Sequence, residues 1–265
     1  MYRKHFGLTR HPFSNELEVD ELFVSATVQE TEVRLGHLVE MRGIGLVTGD
    51  SGSGKTTITR KVLSSLHTGL YRVVYITLST GNVMDTYKSI AWEFGLSTER
   101  NRASVFRQLR QEVTRLVTEA RCRPIVVIDE AQHLRNDVLE DLRLLTNYQM
   151  DSENRLSLLF VGHPELRRRL ALAAHEALDQ RIVVRAHVSG LSRNELEPYI
   201  AHLLRRAGTE LQFFEPAALE ATFQATGGLP RRVNRIAHYS LLAAAVAKAK
   251  TVTAEHVAAA LGEIS

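Results

Sequence analysis

The octapeptide Gly49-Asp50-Ser51-Gly52-Ser53-Gly54-Lys55-Thr56 follows directly on the apolar run Ile44-Gly45-Leu46-Val47. No other stretch narrows the choice of fold so far, because a Gly-x4-Gly-Lys-Thr loop works only between a strand and a helix. Gly49, Gly52 and Gly54 let the backbone turn tightly enough for successive N–H groups to point inward at phosphate oxygens, and the following helix adds its positive end. The spacing predicts that Lys55 reaches the β- and γ-phosphates and that Thr56 binds Mg²⁺. Asp50, Ser51, Ser53 and Thr57 complete the expected nucleotide-binding stretch, with ATP as the expected ligand.

A second run sharpens this. Pro124 opens Ile125-Val126-Val127-Ile128, which closes in Asp129-Glu130. A fully apolar run of this length reads as a central parallel strand delivering carboxylates to the sheet's carboxyl edge, where open α/β sheets bind ligands. Taken alone it also fits a strand followed by an acidic helix cap. Paired with the phosphate loop on a neighbouring strand, it predicts Asp129 as a metal-holding carboxylate and Glu130 as the residue that polarises the attacking water.

Composition fits such an enzyme. At 265 residues the chain can bury a good core in one or two domains. No apolar stretch approaches the roughly 20 residues that cross a bilayer, and no signal-peptide core is visible, so a cytoplasmic protein without membrane contact is expected. The single cysteine, Cys122, has no partners at metal-ligand spacing. Net charge is +3, but the sequence pI is ≈ 9.1 and arginines cluster at Arg167–Arg169, Arg205–Arg206 and Arg231–Arg235, which permits an anionic partner.

Along the chain, strands are expected at 44–48, 71–78, 124–128, 156–161 and 182–188. Helices are expected at 28–40, 55–67, 83–95, 103–121, 137–149 and from Pro164. This alternation implies a parallel sheet covered on both faces. After Gly190 only helices follow, at 192–207, 215–225, 230–248 and 253–261. Ser192 with Glu195 forms a capping box, and Thr253 with His256 a weaker one. The expected division is an α/β ATP-binding domain over 1–190 and a small all-α lid over 191–265.

Three further polar features fall where an ATPase needs them. His163 ends the run Leu156–Gly162 and emerges either as a reporter on the γ-phosphate or as a solvated strand-end residue. Arg181 either reaches a neighbouring subunit's nucleotide as an arginine finger or pairs at the surface with Asp179. Gly227-Gly228-Leu229-Pro230-Arg231 places a proline in a helix's first turn and a guanidinium just inside it.

In order, these features resemble the AAA+ ATPases over nearly the whole chain. The opening Tyr2, His5-Phe6-Gly7-Leu8, Pro12-Phe13 and Leu22-Phe23 resembles more narrowly the ExeA-like secretion ATPases and the TnsC/TniB-like ATPases that select transposon targets. The resemblance implies a P-loop NTPase fold, with His163 at the sensor 1 position, Arg181 as the finger and Arg231 as sensor 2. At the sensor 1 position AAA+ proteins more often carry Asn, Thr or Gln. It also implies that residues 1–27 line the adenine side of the ATP-binding domain.

Two functions follow from the resemblance. In one, ATP-bound copies form a ring or helical filament on duplex DNA, recruit a transposase and are disassembled by hydrolysis. In the other, the ATPase assists assembly of a type II secretion apparatus. The chain ends at Ser265, directly after the helical region, without the membrane helix usual in the secretion class, and this weighs toward DNA. A metabolic kinase is disfavoured by the lack of a second substrate domain. Binding to duplex DNA through phosphates is sequence-tolerant, and Thr80, Lys88, Arg100 and Arg102 are the expected contacts, with solvated helix-face charges as the alternative.

Overall fold

The computed structural model describes residues 2–14, 18–77, 81–97 and 99–264. Its helices and strands run, in chain order, α1 (Tyr2–His5), α2 (Ala26–Met41), β1 (Ile44–Gly49), α3 (Lys55–Ser64), β2 (Tyr71–Thr77), α4 (Val83–Glu93), α5 (Arg102–Thr118), β3 (Arg123–Asp129), α6 (Asn136–Leu145), β4 (Ser157–Gly162), α7 (Pro164–Leu170), α8 (Glu176–Asp179), β5 (Ile182–Val188), α9 (Arg193–Arg206), α10 (Pro216–Thr226), α11 (Pro230–Val246) and α12 (Ala254–Ile264). The strands form one parallel sheet in the order β2-β3-β4-β1-β5.

Side-chain burial follows strand position. β1 and β4 are buried at every residue, and β3 at every residue after Arg123. The edge strands β2 and β5 instead alternate between buried and more exposed residues, since only one face of an edge strand is fully covered. Helices close the faces with apolar stripes at helical spacing, such as Val105, Leu109, Val113 and Leu116 of α5. Asn82 and Asn101 cap α4 and α5 by accepting from the N–H groups of Asp85 and Ala103.

One expectation is corrected here. The acid-bearing strand β3 does not neighbour the phosphate-loop strand β1, because β4 lies between them and pairs in parallel with both. All three are apolar enough to sit inside the sheet, so composition does not fix their order. The chain also leaves its helix earlier than expected after β3. α6 ends at Leu145, where Thr146 turns its hydroxyl back to the Arg143 carbonyl at 2.7 Å. The chain then turns so that Tyr148 is buried, with the Arg110 guanidinium 4.1 Å from its ring centre.

The chain divides into two compact units: Val28–Ser51 with Lys55–Val188, and the residues up to Thr27, Gly52–Gly54 and those from Ser189 onward. The first has its core on the sheet, around Leu46, Ile128, Phe160, Ile90 and Leu109. In the second, Tyr2, Phe6, Leu8 and Phe13 enter one core with Tyr199, Phe213, Phe214 and Val233. The amino-terminal segment thus groups with the later helices, whereas the sequence assigned it to the α/β domain. Aromatic packing accounts for the difference. Phe6 and Phe213 lie 4.7 Å apart at their ring centres, and the Tyr2 hydroxyl hydrogen-bonds with Nδ1 of His11 at 3.0 Å and of His238 at 3.1 Å. Burial pushes the Tyr2 phenol up to about 12.

The expected Ser192–Glu195 capping box forms, and at Thr253 the contact between its backbone N–H and His256 is present. The Ser192 N–H donates to the Glu195 carboxylate at 2.9 Å, and the Thr253 N–H donates to His256 Nδ1 at 3.0 Å. Among the described residues, no helix is long and apolar enough to cross a membrane.

Candidate nucleotide site

Between β1 and α3 the loop turns through Gly52 at φ +81° and Gly54 at φ +98°, a region L-residues with a side chain rarely adopt. The turn brings Lys55 to the start of α3, where its buried ammonium donates to the Asp50 carbonyl at 3.0 Å. The Ser53 hydroxyl is buried, at 3% residue exposure, and its Oγ has no hydrogen-bond partner. Leaving a buried hydroxyl unsatisfied costs about 1–3 kcal/mol. A phosphate oxygen in the loop would remove that cost, which fits a nucleotide ligand.

At the carboxyl end of β3, Asp129 is 3% exposed and accepts three hydrogen bonds. Thr56 Oγ1 donates to Oδ2 at 2.7 Å, Tyr75 Oη donates to Oδ2 at 2.7 Å, and the Glu130 N–H donates to Oδ1 at 2.8 Å. Three donors on one carboxylate fix its orientation at the strand end. Burial, followed by the hydrogen bond to Asp129, raises the Tyr75 phenol well above its ordinary range, so it stays a donor. Thr56 and Asp129 together present hard oxygen ligands of the kind Mg²⁺ uses alongside phosphate and water. The described residues hold no group of three or more His, Cys, Asp or Glu side chains able to cage a metal by themselves.

Glu130 follows in a left-handed conformation, φ 53° and ψ 34°, and its exposed carboxylate accepts from Gln132 Nε2 at 2.6 Å. His163 is the N-cap residue of α7 and is half-buried at the end of β4. Its backbone N–H donates to Gln132 Oε1 at 3.1 Å. The fold therefore brings together Lys55, Thr56, Asp129, Glu130 and the His163 backbone at the carboxyl edge of the sheet.

Arg181 is not at that edge. It immediately precedes β5, and in a parallel sheet the start of one strand and the end of another lie on opposite edges, separated by roughly 20 Å for strands of this length. Its guanidinium pairs with Asp151 and lies 3.4 Å from both the Arg143 carbonyl and Thr146 Oγ1. Asp179, the surface partner weighed from sequence, pairs with Arg185 at 3.0 Å instead. Arg231 sits at the second position of α11, and its N–H donates to the Gly52 carbonyl at 3.2 Å.

The expected DNA contacts are dispersed. Thr80 lies outside the described residues. Arg100 is exposed, and Arg102 is engaged with Asp141 by Nε at 3.0 Å. Lys88 lines an open cleft with Tyr75, Thr77 and Trp92. Trp92, four residues further along α4 and so on the same face, is 74% exposed. Sequence reasoning missed Tyr75, Gln132 and Trp92. Trp92 was within its reach, since the buried positions Thr86, Tyr87, Ile90 and Ala91 leave 88 and 92 on the outer face. Tyr75 needs the β2–β3 register, which aligns Tyr75 with Val127 and Thr77 with Asp129.

Residues 39–170 match the family model described as "AAA domain". The fold is similar to that of Cdc6p from Pyrobaculum aerophilum, with a TM-score of 0.68 at 19% identity over 95% of this chain and 70% of that one. The loop, the Asp129-Glu130 strand end, the sheet and this match define the chain as a member of the AAA+ ATPases. Two curated relatives place it further. It is 32% identical over 247 residues to General secretion pathway protein A of Aeromonas hydrophila, covering 92% of this chain and 45% of that protein. It is 30% identical over 134 residues to ATP-dependent target DNA activator B of Escherichia phage Mu, covering 50% of this chain and 38% of that protein. Within the AAA+ class the chain belongs to the ExeA-like and TnsC/TniB-like branch. It spans less than half the length of either relative.

Proposed function

We propose that the chain binds ATP with Mg²⁺ through Gly49–Thr57, hydrolyses it with Glu130, and uses the cycle to control its own assembly on duplex DNA in the service of transposition. The observation that most supports the ATP site is the Thr56–Asp129 hydrogen bond of 2.7 Å, which joins the phosphate loop to the acidic strand end across β4.

In this reading Lys55 gives up its bond to the Asp50 carbonyl and turns to the β- and γ-phosphates. Thr56 and Asp129 would hold Mg²⁺, which supplies charge neutralisation on the phosphate oxygens. Glu130 accepts a proton from water as the water oxygen bonds to the γ-phosphorus and the bond to the β-phosphate oxygen breaks, giving ADP and phosphate. His163 and Arg231 are the proposed sensors of the phosphates. Arg181, at the far edge of the sheet, is proposed to serve a neighbouring copy's nucleotide in a ring or filament.

The DNA reading is supported by similarity to a protein named as a target DNA activator, and by Lys88 beside exposed Trp92. Arg100 is the next candidate, and Arg102 the weaker, since Asp141 already engages it. Recruitment of a transposase belongs to the same proposal. Titration of labelled duplex DNA with ATP, ADP or a non-hydrolysed ATP analogue tests it. Binding with ATP or the analogue that weakens steeply with salt is expected; no binding at low salt, or binding indifferent to salt, overturns it.

A second reading, assistance in assembling a secretion apparatus, is favoured by the longer match to the secretion pathway protein. ATP-dependent assembly that ignores DNA altogether would support it.

A further inference from the structure

We infer that Gln132 is a positioning residue that clamps the Glu130 carboxylate to the end of β4. The inference rests on the reading of Glu130 as the group that activates water. Its side-chain amide makes two contacts of opposite polarity: Nε2 donates to Glu130 Oε2 at 2.6 Å, while Oε1 accepts the His163 N–H at 3.1 Å. The orientation of the amide follows from these partners. A backbone N–H only donates and an ionised carboxylate only accepts, so a flipped amide would lose both bonds.

Space for the amide is reserved at Gly162. A Cβ there would lie 2.7 Å from Gln132 Oε1 and 3.3 Å from the Gln132 backbone nitrogen, so a side chain would displace the clamp. Beneath it, Arg169 Nη1 donates to the Gln132 carbonyl at 3.1 Å and holds the short turn that carries the residue. Glu130 is exposed and has three rotatable side-chain bonds. Without a tether it samples many rotamers, few of which face a water lined up on phosphate. The clamp takes up one carboxylate oxygen and leaves Oε1 to accept from water. It also ties the carboxylate to the segment carrying His163, so a shift of the β4 end moves both together.

Steady-state ATP hydrolysis by the full chain, in the assembly state where turnover is highest, tests this with Glu130→Gln measured alongside. Gln132→Leu is expected to lower kcat about ten- to a hundredfold while KM for ATP stays within about twofold. In a Glu130→Gln background the same change is expected to add no further loss. Gln132→Met, close to glutamine in length but unable to make either amide contact, is expected to show the same fall in kcat at unchanged KM, and it decides if Gln132→Leu does not fold.

A parental kcat in Gln132→Leu or Gln132→Met, a raised KM with kcat unchanged, or losses that multiply with Glu130→Gln would each overturn the clamp while leaving Glu130 in place. Parental turnover in Glu130→Gln would instead overturn the role of Glu130, and the clamp with it.

Discussion

Asp129 and Arg181 both lie at strand ends of one sheet, but their surroundings differ in kind. Asp129 is buried at the end of β3 with three donors on its carboxylate, one of them, Thr56, from the phosphate loop itself. Arg181 precedes β5 at the opposite edge, paired with Asp151 and reaching Arg143 and Thr146 at 3.4 Å. The first corner is assembled within the chain. The second carries a cation roughly 20 Å from it, so the catalytic use proposed for Arg181 calls on another copy. In the proposed reading one corner serves binding and hydrolysis and the other assembly.

Lys55→Ala is the strongest way to break the comparison. Loss of the ammonium removes the charged donor to the phosphates, so nucleotide binding and turnover should fall to background in a fluorescent-nucleotide titration and a phosphate-release assay. Retained ATP binding would detach the first corner from its proposed role. Glu130→Gln should separate the two steps: binding persists while turnover drops about a hundred- to ten-thousandfold, leaving any assembly locked in its ATP form.

Arg181→Ala sharpens the contrast between corners. Turnover per subunit should collapse by orders of magnitude in assemblies and change little in dilute protein. Mixing with Lys55→Ala subunits should restore activity, because each variant supplies what the other lacks. Loss of the same size at all dilutions would place Arg181 within its own subunit's chemistry or stability. Tyr75→Phe removes one of three donors to Asp129, and a loss of about 1 kcal/mol in unfolding free energy is expected, measured by denaturant titration, with Mg²⁺ dependence shifted a few-fold.

The smallest effect lies outside both corners. Hydrogen bonds from Arg10 and then Arg206 hold Glu21 down to about 2. A depressed carboxylate stabilises the folded form above its unfolded value near 4.5, and that contribution is lost as pH falls through about 2. Glu21→Gln should therefore flatten the acid limb of a thermal-melt pH series while leaving melting above about pH 6 nearly independent of pH; an unchanged acid limb would show that these contacts contribute nothing.

The phosphate loop, the Asp129-Glu130 strand end and the Ser192–Glu195 capping box were legible because each is a local pattern whose chemistry depends on residues a few positions apart. Strand order was not. β1, β3 and β4 are similarly apolar, and nothing in such runs says which lies in the middle. Gln132 follows Glu130 by two residues, but the space and the N–H that its amide meets come from Gly162 and His163, some thirty positions later. The placement of Tyr2, Phe6 and Phe23 depended on aromatic partners near 199, 213 and 238, which no local window contains.

By itself the sequence determined that a phosphate-binding turn must stand between a strand and a helix, because glycine at positive φ and lysine at a helix start are encoded within eight residues. Tertiary structure alone decided that β4 separates the loop from the acid, that Tyr75 and Gln132 hold the two carboxylates, and that Arg181 faces away from them. Those outcomes come from pairing between distant segments, where burial and hydrogen-bond satisfaction, rather than local pattern, choose the partner.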